Sequence, residues 1–215
     1  MTPQAIVPQV IRRDACGKPD QESWSQVPAL ALSRAEDGAA PEQATTVRLV
    51  HDGGVLWVRF DCADRDIWAT HTKRDAPLWE EETVEVFLAP GVDVPAAYLE
   101  IEVNPLGTIF DARIANPDGR RDTMSADAAW NAAGLVVEVD RTTPGSWRVD
   151  LAIPWGDLGE ATPSRLWRAN FFRIERPRDG HAEFSCWSPT FTRPPDFHKP
   201  ACFGTLILDR DDERP

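Results

Sequence analysis

Thr45-Thr46-Val47-Arg48-Leu49-Val50-His51-Asp52-Gly53-Gly54-Val55-Leu56-Trp57-Val58-Arg59-Phe60-Asp61-Cys62 reads as a β-hairpin. His51-Asp52-Gly53-Gly54 is its turn, because Asp-Gly and Gly-Gly supply the backbone conformations a tight reversal needs. After the turn Leu56, Val58 and Phe60 alternate with Trp57, Arg59 and Asp61, the period of two of a strand with one buried face. Cys62 continues the apolar series as a small buried hydrophobe.

The same pattern recurs outward. Thr83 to Leu88, Tyr98 to Asn104, Thr108 to Ile114, Leu135 to Asp140, Trp147 to Ile153, Leu166 to Glu175, Glu183 to Trp187 and Phe203 to Leu208 all read as strands. Asn104-Pro105-Leu106-Gly107 and Thr142-Thr143-Pro144-Gly145 are turns by composition. Ala5 to Arg13 reads as an edge strand, since Pro8 lacks the donor a central strand requires. Ser23 to Leu32 reads as an irregular covering segment, Asn116 to Ala129 as a loop, and Pro154 to Gly159 as one helical turn at most. With 19 Pro and 13 Gly cutting the chain into short pieces, the expectation is an all-β fold. Its form would be a two-sheet antiparallel β-sandwich of jelly-roll or immunoglobulin-like kind, with about ten strands. A length of 215 residues at 42% hydrophobic content supports a single domain, 1–215, closing in a short charged tail, 209–215.

Thirty-five acidic against 23 basic residues leave a net charge of −12, which repels phosphate backbones and anionic lipid and argues against nucleic acid or membrane partners. No apolar run approaches the roughly 20 residues of a membrane span. The first 21 residues, interrupted by Pro3, Pro8, Arg12, Arg13 and Asp14, do not read as a signal peptide. The expectation is a cytoplasmic chain or a processed secreted form. Cys16, Cys62, Cys186 and Cys202 lack metal-site or redox spacing, while Cys186 and Cys202 flank one loop and could pair in an oxidising compartment.

Nine Trp stand beside one Tyr. Trp24, Trp130, Trp147, Trp155 and Trp167 read as core or edge plugs. Trp79 differs: it ends the long loop Asp64 to Trp79 and precedes Glu80-Glu81-Glu82. Trp187 enters the Pro-rich segment running to Pro200. On the strands nearby, Glu85, Glu100 and Glu102, followed by Asn104, lie on the face opposite the apolar series. Flat aromatic faces with carboxylates and amides between them suit a sugar, whose C–H faces stack while its hydroxyls hydrogen-bond. If each ring covers on the order of 80 Å² of sugar, stacking contributes about 2 kcal/mol per Trp. After association costs this predicts a dissociation constant of about millimolar to micromolar.

These motifs resemble the family 9 carbohydrate-binding modules, within the wider DOMON-like group. The resemblance rests on Asp52 to Val58, Pro77 to Phe87, Glu100 to Gly107, Trp147 to Trp155, Arg168 to Arg173 and Phe203-Gly204, in that order. It implies a non-catalytic module holding a mono- or oligosaccharide, of the β-glucan or xylan chain-end kind. Trp79 and Trp187 would be the stacking faces and Glu85, Asn104 and Glu102 the polar partners. An Arg expected near Asn104 is replaced by Glu102, a departure that bears on which ligand is taken. The resemblance also brings structural calcium into view, with Asp61, Asp64 and Asp66 as oxygen ligands. Two other readings stand beside it. Glu85 with Glu100 or Glu102 could form a glycosidase carboxylate pair. Some DOMON-like relatives hold haem, for which this chain offers Met1, Met124, its His residues or Lys73.

Overall fold

In the computed structural model the hairpin lies at the middle of one of two facing sheets. The structure describes residues 2–10, 12–160 and 163–209; Met1 and residues 210–215 of the charged tail lie outside the described residues. In chain order the strands are β1 (Gln4–Val7), β2 (Leu30–Ala31), β3 (Ser33–Arg34), β4 (Thr45–His51), β5 (Val55–Ala63), β6 (Thr83–Pro90), β7 (Ala97–Val103) and β8 (Ile109–Ala115). They continue with β9 (Ser125–Asp127), β10 (Val136–Asp140), β11 (Ser146–Pro154), β12 (Leu166–Glu175), β13 (Glu183–Cys186) and β14 (Gly204–Leu208). The strands beyond the expected ten are short: β2 and β3 have two residues each, and β9 breaks the segment read as a loop with three.

The first sheet runs β10-β11-β5-β4-β2 and is antiparallel throughout. The second runs β1-β14-β12-β6-β7-β8-β9, with β13 pairing β12 and leading to β3. Its outermost pair, β1 with β14, is parallel, from Gln4 opposite Thr205 to Val7 opposite Leu208. Pro8 directly follows β1, so the N-terminal strand is shorter than its sequence suggests. The covering segment read from Ser23 holds a helical turn, α1 (Gln21–Ser25), capped by Asp20, whose carboxylate accepts the Ser23 N–H at 2.8 Å.

Strand alternation sorts the residues between two cores. Val58, Phe60, Val84, Val86, Ile101, Val103, Val149 and Phe171 meet between the sheets together with Trp147, Trp155 and Trp167. Trp24 is buried apart from them, beneath the Arg59 guanidinium. Trp130 is half-buried, with Arg113 over its ring. The opposite face of the second sheet would ordinarily be wet. Here Phe87, Tyr98, Phe172 and Ile174 on that face are roofed by the Pro-rich stretch, which brings Phe197 and Phe203 down on them. Phe197 stacks on Phe172 at 4.2 Å between centroids, and Phe203 packs edge-on to Tyr98 at 5.1 Å. Asn170 fastens the start of this roof by accepting the Ser188 N–H and donating to the Ser188 carbonyl, both at 2.9 Å.

Candidate functional site

The roof stops short of the end of the sheet where β6, β7 and β8 meet the long loop, and a cavity of about 270 Å³ opens there. One side is Trp79. The chain enters β6 through a short 3-10 turn, Leu78–Glu80, in which Leu78 is wholly buried and Trp79 is 43% exposed. Leu78 anchors the turn in the second core, and its neighbour is thereby turned outward. The loop before the turn is held by Glu81, whose carboxylate accepts the Thr70 hydroxyl and the N–H groups of Thr70 and His71. Arg176 donates to the Trp79 carbonyl at 3.2 Å and lines the cavity itself. Phe110 packs edge-on against the Trp79 ring at 5.2 Å, and Phe184 and Phe197 extend the aromatic lining.

Three carboxylates also line the cavity. Glu85 and Glu102 are cross-strand partners on β6 and β7, and Glu100 lies two residues along β7 on the same face. All three are buried: Glu85, Glu102 and Glu100 are 3%, 1% and 5% exposed. One oxygen from each lies within 4.8 Å of the others. Burial drives all three carboxyls above their ordinary range, with mutual repulsion adding for Glu85 and Glu102; Glu100 is pushed up to about 8, against the pull of Arg121.

His198 completes the polar lining. Its Nδ1 meets the Tyr98 hydroxyl at 2.8 Å, and that hydroxyl accepts from the Asn116 amide. Its Nε2 lies 3.8 Å from Glu100. Burial, aided by Arg121, lowers the His198 pKa to about 3, so the ring is neutral at pH 7. Arg121 borders the cavity while its guanidinium donates to Asp196 at 2.9 Å.

Of the residues singled out by sequence, Trp79, Glu85 and Glu102 meet in this cavity, together with Glu100. Trp187 and Asn104 do not. Trp187 is 8% exposed and belongs to the core between the sheets, 5.8 Å from Phe171. Its ring lies against Gly204, where a Cβ would come within 2.3 Å of it. It is a structural plug, and its Trp-Ser-Pro setting marks the point where β13 gives way to the roof. Asn104 is fully buried and spends its amide on the chain: Oδ1 accepts from Leu106 and Thr108 N–H, and Nδ2 donates to the His71 carbonyl. That ties the β7–β8 turn to the long loop.

The expected calcium ligands are not brought together. Asp61 on β5 pairs with Arg48 and Arg148, and Asp66 with Arg178. Asp64 is buried, accepting from Trp147 Nε1 at 3.0 Å and from Arg173 at 2.8 Å. Its carboxylate neighbours are Glu82 and Glu175, and the positive charge in that group is Arg173. Cys186 and Cys202 are free thiols, pointing to the carbonyls of Ser188 and Thr190. Of the methionines offered for haem, Met124 lines the cavity and Met1 lies outside the described residues.

Phe110 was legible in principle, since it faces Glu102 across β7 and β8 and so shares its side of the sheet. Arg121, Phe184, Phe197 and His198 arrive from loops or from the sheet margin with no local signal.

The carbohydrate-binding family 9 model matches residues 23–208. A curated "Extracellular protein" of Arthroderma benhamiae is 30% identical over 160 residues, covering 68% of this chain and 72% of that one. Among solved structures, a putative carbohydrate-binding protein of Bacteroides uniformis superposes with a TM-score of 0.77 at 18% identity, covering 97% of this chain and all of that one. A family 9 carbohydrate-binding module of Caldicellulosiruptor kristjanssonii, solved with glucose, superposes at 0.67 with 15% identity, covering 99% and 98% of the two chains. A family 9 module of the same organism, solved with cellotriose, superposes at 0.67 with 16% identity over 99% and 97%. The match of the family model over nearly all of the sandwich identifies this chain as a member of carbohydrate-binding family 9.

Proposed function

We propose that the cavity beside Trp79 binds a mono- or oligosaccharide without transforming it, with one sugar ring on the Trp79 face and its hydroxyls donating to Glu85, Glu100 and Glu102. The observation that carries this reading is the half-exposed indole of Trp79 beside buried acceptors in a cavity whose other lining is aromatic and aliphatic apart from Arg121, Arg176 and His198. A large aromatic held out of the core by its own turn needs a partner for its face, and a pyranose C–H face supplies one. The second stacking surface expected from Trp187 would come instead from the Phe110, Phe184 and Phe197 lining. The glucose and cellotriose complexes of a structural neighbour support a β-glucan chain end as the first ligand to try. Raised carboxyl pKa values in one cavity also favour a glycosidase reading with Glu85 and Glu100 or Glu102.

Calorimetric titration with glucose, cellobiose, cellotriose and xylobiose tests the binding reading on wild type and Trp79→Ala. Saturable binding in the millimolar to micromolar range, weakened about thirtyfold in the variant by the loss of about 2 kcal/mol of stacking, supports it. No heat with any of these sugars overturns it. Release of aryl alcohol from aryl glycosides would favour the enzyme instead.

A further inference from the structure

We infer that the sugar this pocket selects carries an ammonium group, as a free hexosamine such as glucosamine does, with the nitrogen held among Glu85, Glu100 and Glu102; the inference rests on the sugar-binding reading above.

A neutral sugar does not account for the floor of the cavity. Its hydroxyls each give one hydrogen, whereas three carboxylates offer six acceptor oxygens and together three negative charges when ionised. Glu102 Oε2 is buried without any hydrogen-bond partner in a side chain only 1% exposed. Nearby cations leave the deficit in place. Arg121 is engaged by Asp196, Arg176 by the Trp79 carbonyl, and no lysine lines the cavity. His198 faces Glu100 as a neutral ring. Once its carboxyls ionise, the floor is therefore charged opposite to an ammonium, with Arg121 offsetting part of that charge.

Geometry agrees with charge. An ammonium with three N–H···O bonds of about 2.8 Å at tetrahedral angles sets its acceptors about 4.6 Å apart. The three glutamate oxygens all lie within 4.8 Å of one another, close enough for a single ammonium to reach all three. The remaining volume matters as well. A cavity of about 270 Å³ lined by Trp79, Phe110, Phe184 and Phe197 is far larger than one ion, and those rings would have no role toward a bare metal. A cation attached to a ring uses both the acidic floor and the aromatic lining. Free hexosamines fit this description, while N-acetylation removes the charge and adds bulk at the same atom.

The test is calorimetric titration of the full chain near neutral pH at low salt with glucosamine, N-acetylglucosamine and glucose. The expected result is glucosamine bound about tenfold or more tighter than glucose, with N-acetylglucosamine no tighter than glucose. Raising the salt concentration on wild type should narrow that ratio, and Glu102→Gln should reduce it to less than about threefold. The salt series keeps the test decisive should the variant fold poorly. Glucose and glucosamine bound equally would overturn this inference and leave the sugar-binding reading standing. Absence of binding by all three would overturn both. Sugar binding that appears only with added calcium and vanishes with chelator would overturn it in favour of a metal on the same oxygens.

Discussion

Glu85 and Glu102 face each other directly across β6 and β7, and both carboxyls are buried in one cavity. Like charges in register on neighbouring strands oppose folding, and burial sharpens the opposition by removing the water that would screen them. The fold retains the pair, with Glu100 beside it, where an apolar residue would pack more easily. Retention of a destabilising cluster on the floor of a cavity is a mark of a binding site.

The cluster makes stability fall as pH rises. Its carboxyls have folded-state pKa values above the ordinary 4.5, so their contribution is fully present below that value and is lost as pH climbs through the folded values, about 8 for Glu100. Glu82, pushed up to about 10, acts in the same direction. Replacing Glu102 by Gln removes one of the repelling charges. Thermal melts of wild type and Glu102→Gln should therefore diverge between pH 4.5 and about 8, with the variant melting several degrees higher at the upper end. Parallel curves would show that folding does not raise the Glu102 carboxyl above its ordinary range.

Trp187 and Trp79 should separate cleanly. Trp187→Ala empties core volume beside Phe171 and Gly204 and is expected to cost about 3–5 kcal/mol in urea denaturation. Trp79→Ala removes a half-exposed ring and should cost about 1 kcal/mol or less while weakening sugar binding.

Arg173 is the counter-ion of a buried acidic group. Its Nη2 lies 2.8 Å from Asp64 and 3.8 Å from Glu82, and its Nη1 donates to the Ala63 carbonyl at 2.7 Å. Arg173→Met leaves those acids facing one another without a cation. The expected loss is about 3–5 kcal/mol at neutral pH by chemical denaturation. A neutral outcome would show that Arg173 is not needed to offset this group.

Asn104→Ala should act on the loop. One Asn104 hydrogen bond ties the β7–β8 turn to His71 and two brace the turn itself, and losing all three is expected to cost about 1–3 kcal/mol. Hydrogen exchange should quicken at Leu106 and Thr108, whose N–H groups Asn104 receives. Sugar affinity reduced with unchanged exchange there would instead place the amide at the ligand.

The strand pattern was legible because alternation is local: Leu56, Val58 and Phe60 announce their face without reference to the rest of the chain. The same alternation put Glu85, Glu100 and Glu102 on one side of the sheet. Their burial was not legible, because it depends on a roof that arrives from about a hundred residues later in the chain, through Phe197 and His198. Trp187 misled for a related reason. Its Pro-rich neighbourhood looks like surface, and only the closeness of Gly204 across the sheet shows that the ring turns inward. Asn104 sits in a motif whose composition reports a turn, and the turn is what it serves.

The parallel pairing of β1 with β14 has a mechanical consequence. Gln4 begins one strand and Leu208 ends its neighbour, and both strands run in the same direction. Tension drawn through the two ends of the described chain therefore slides β1 along β14 instead of peeling them apart. All the hydrogen bonds of the pair then strain at once, and none can yield singly from an end. Two strands at the rim of the larger sheet thus act as a shear clamp, resisting a pull along the chain ends more strongly than their length suggests.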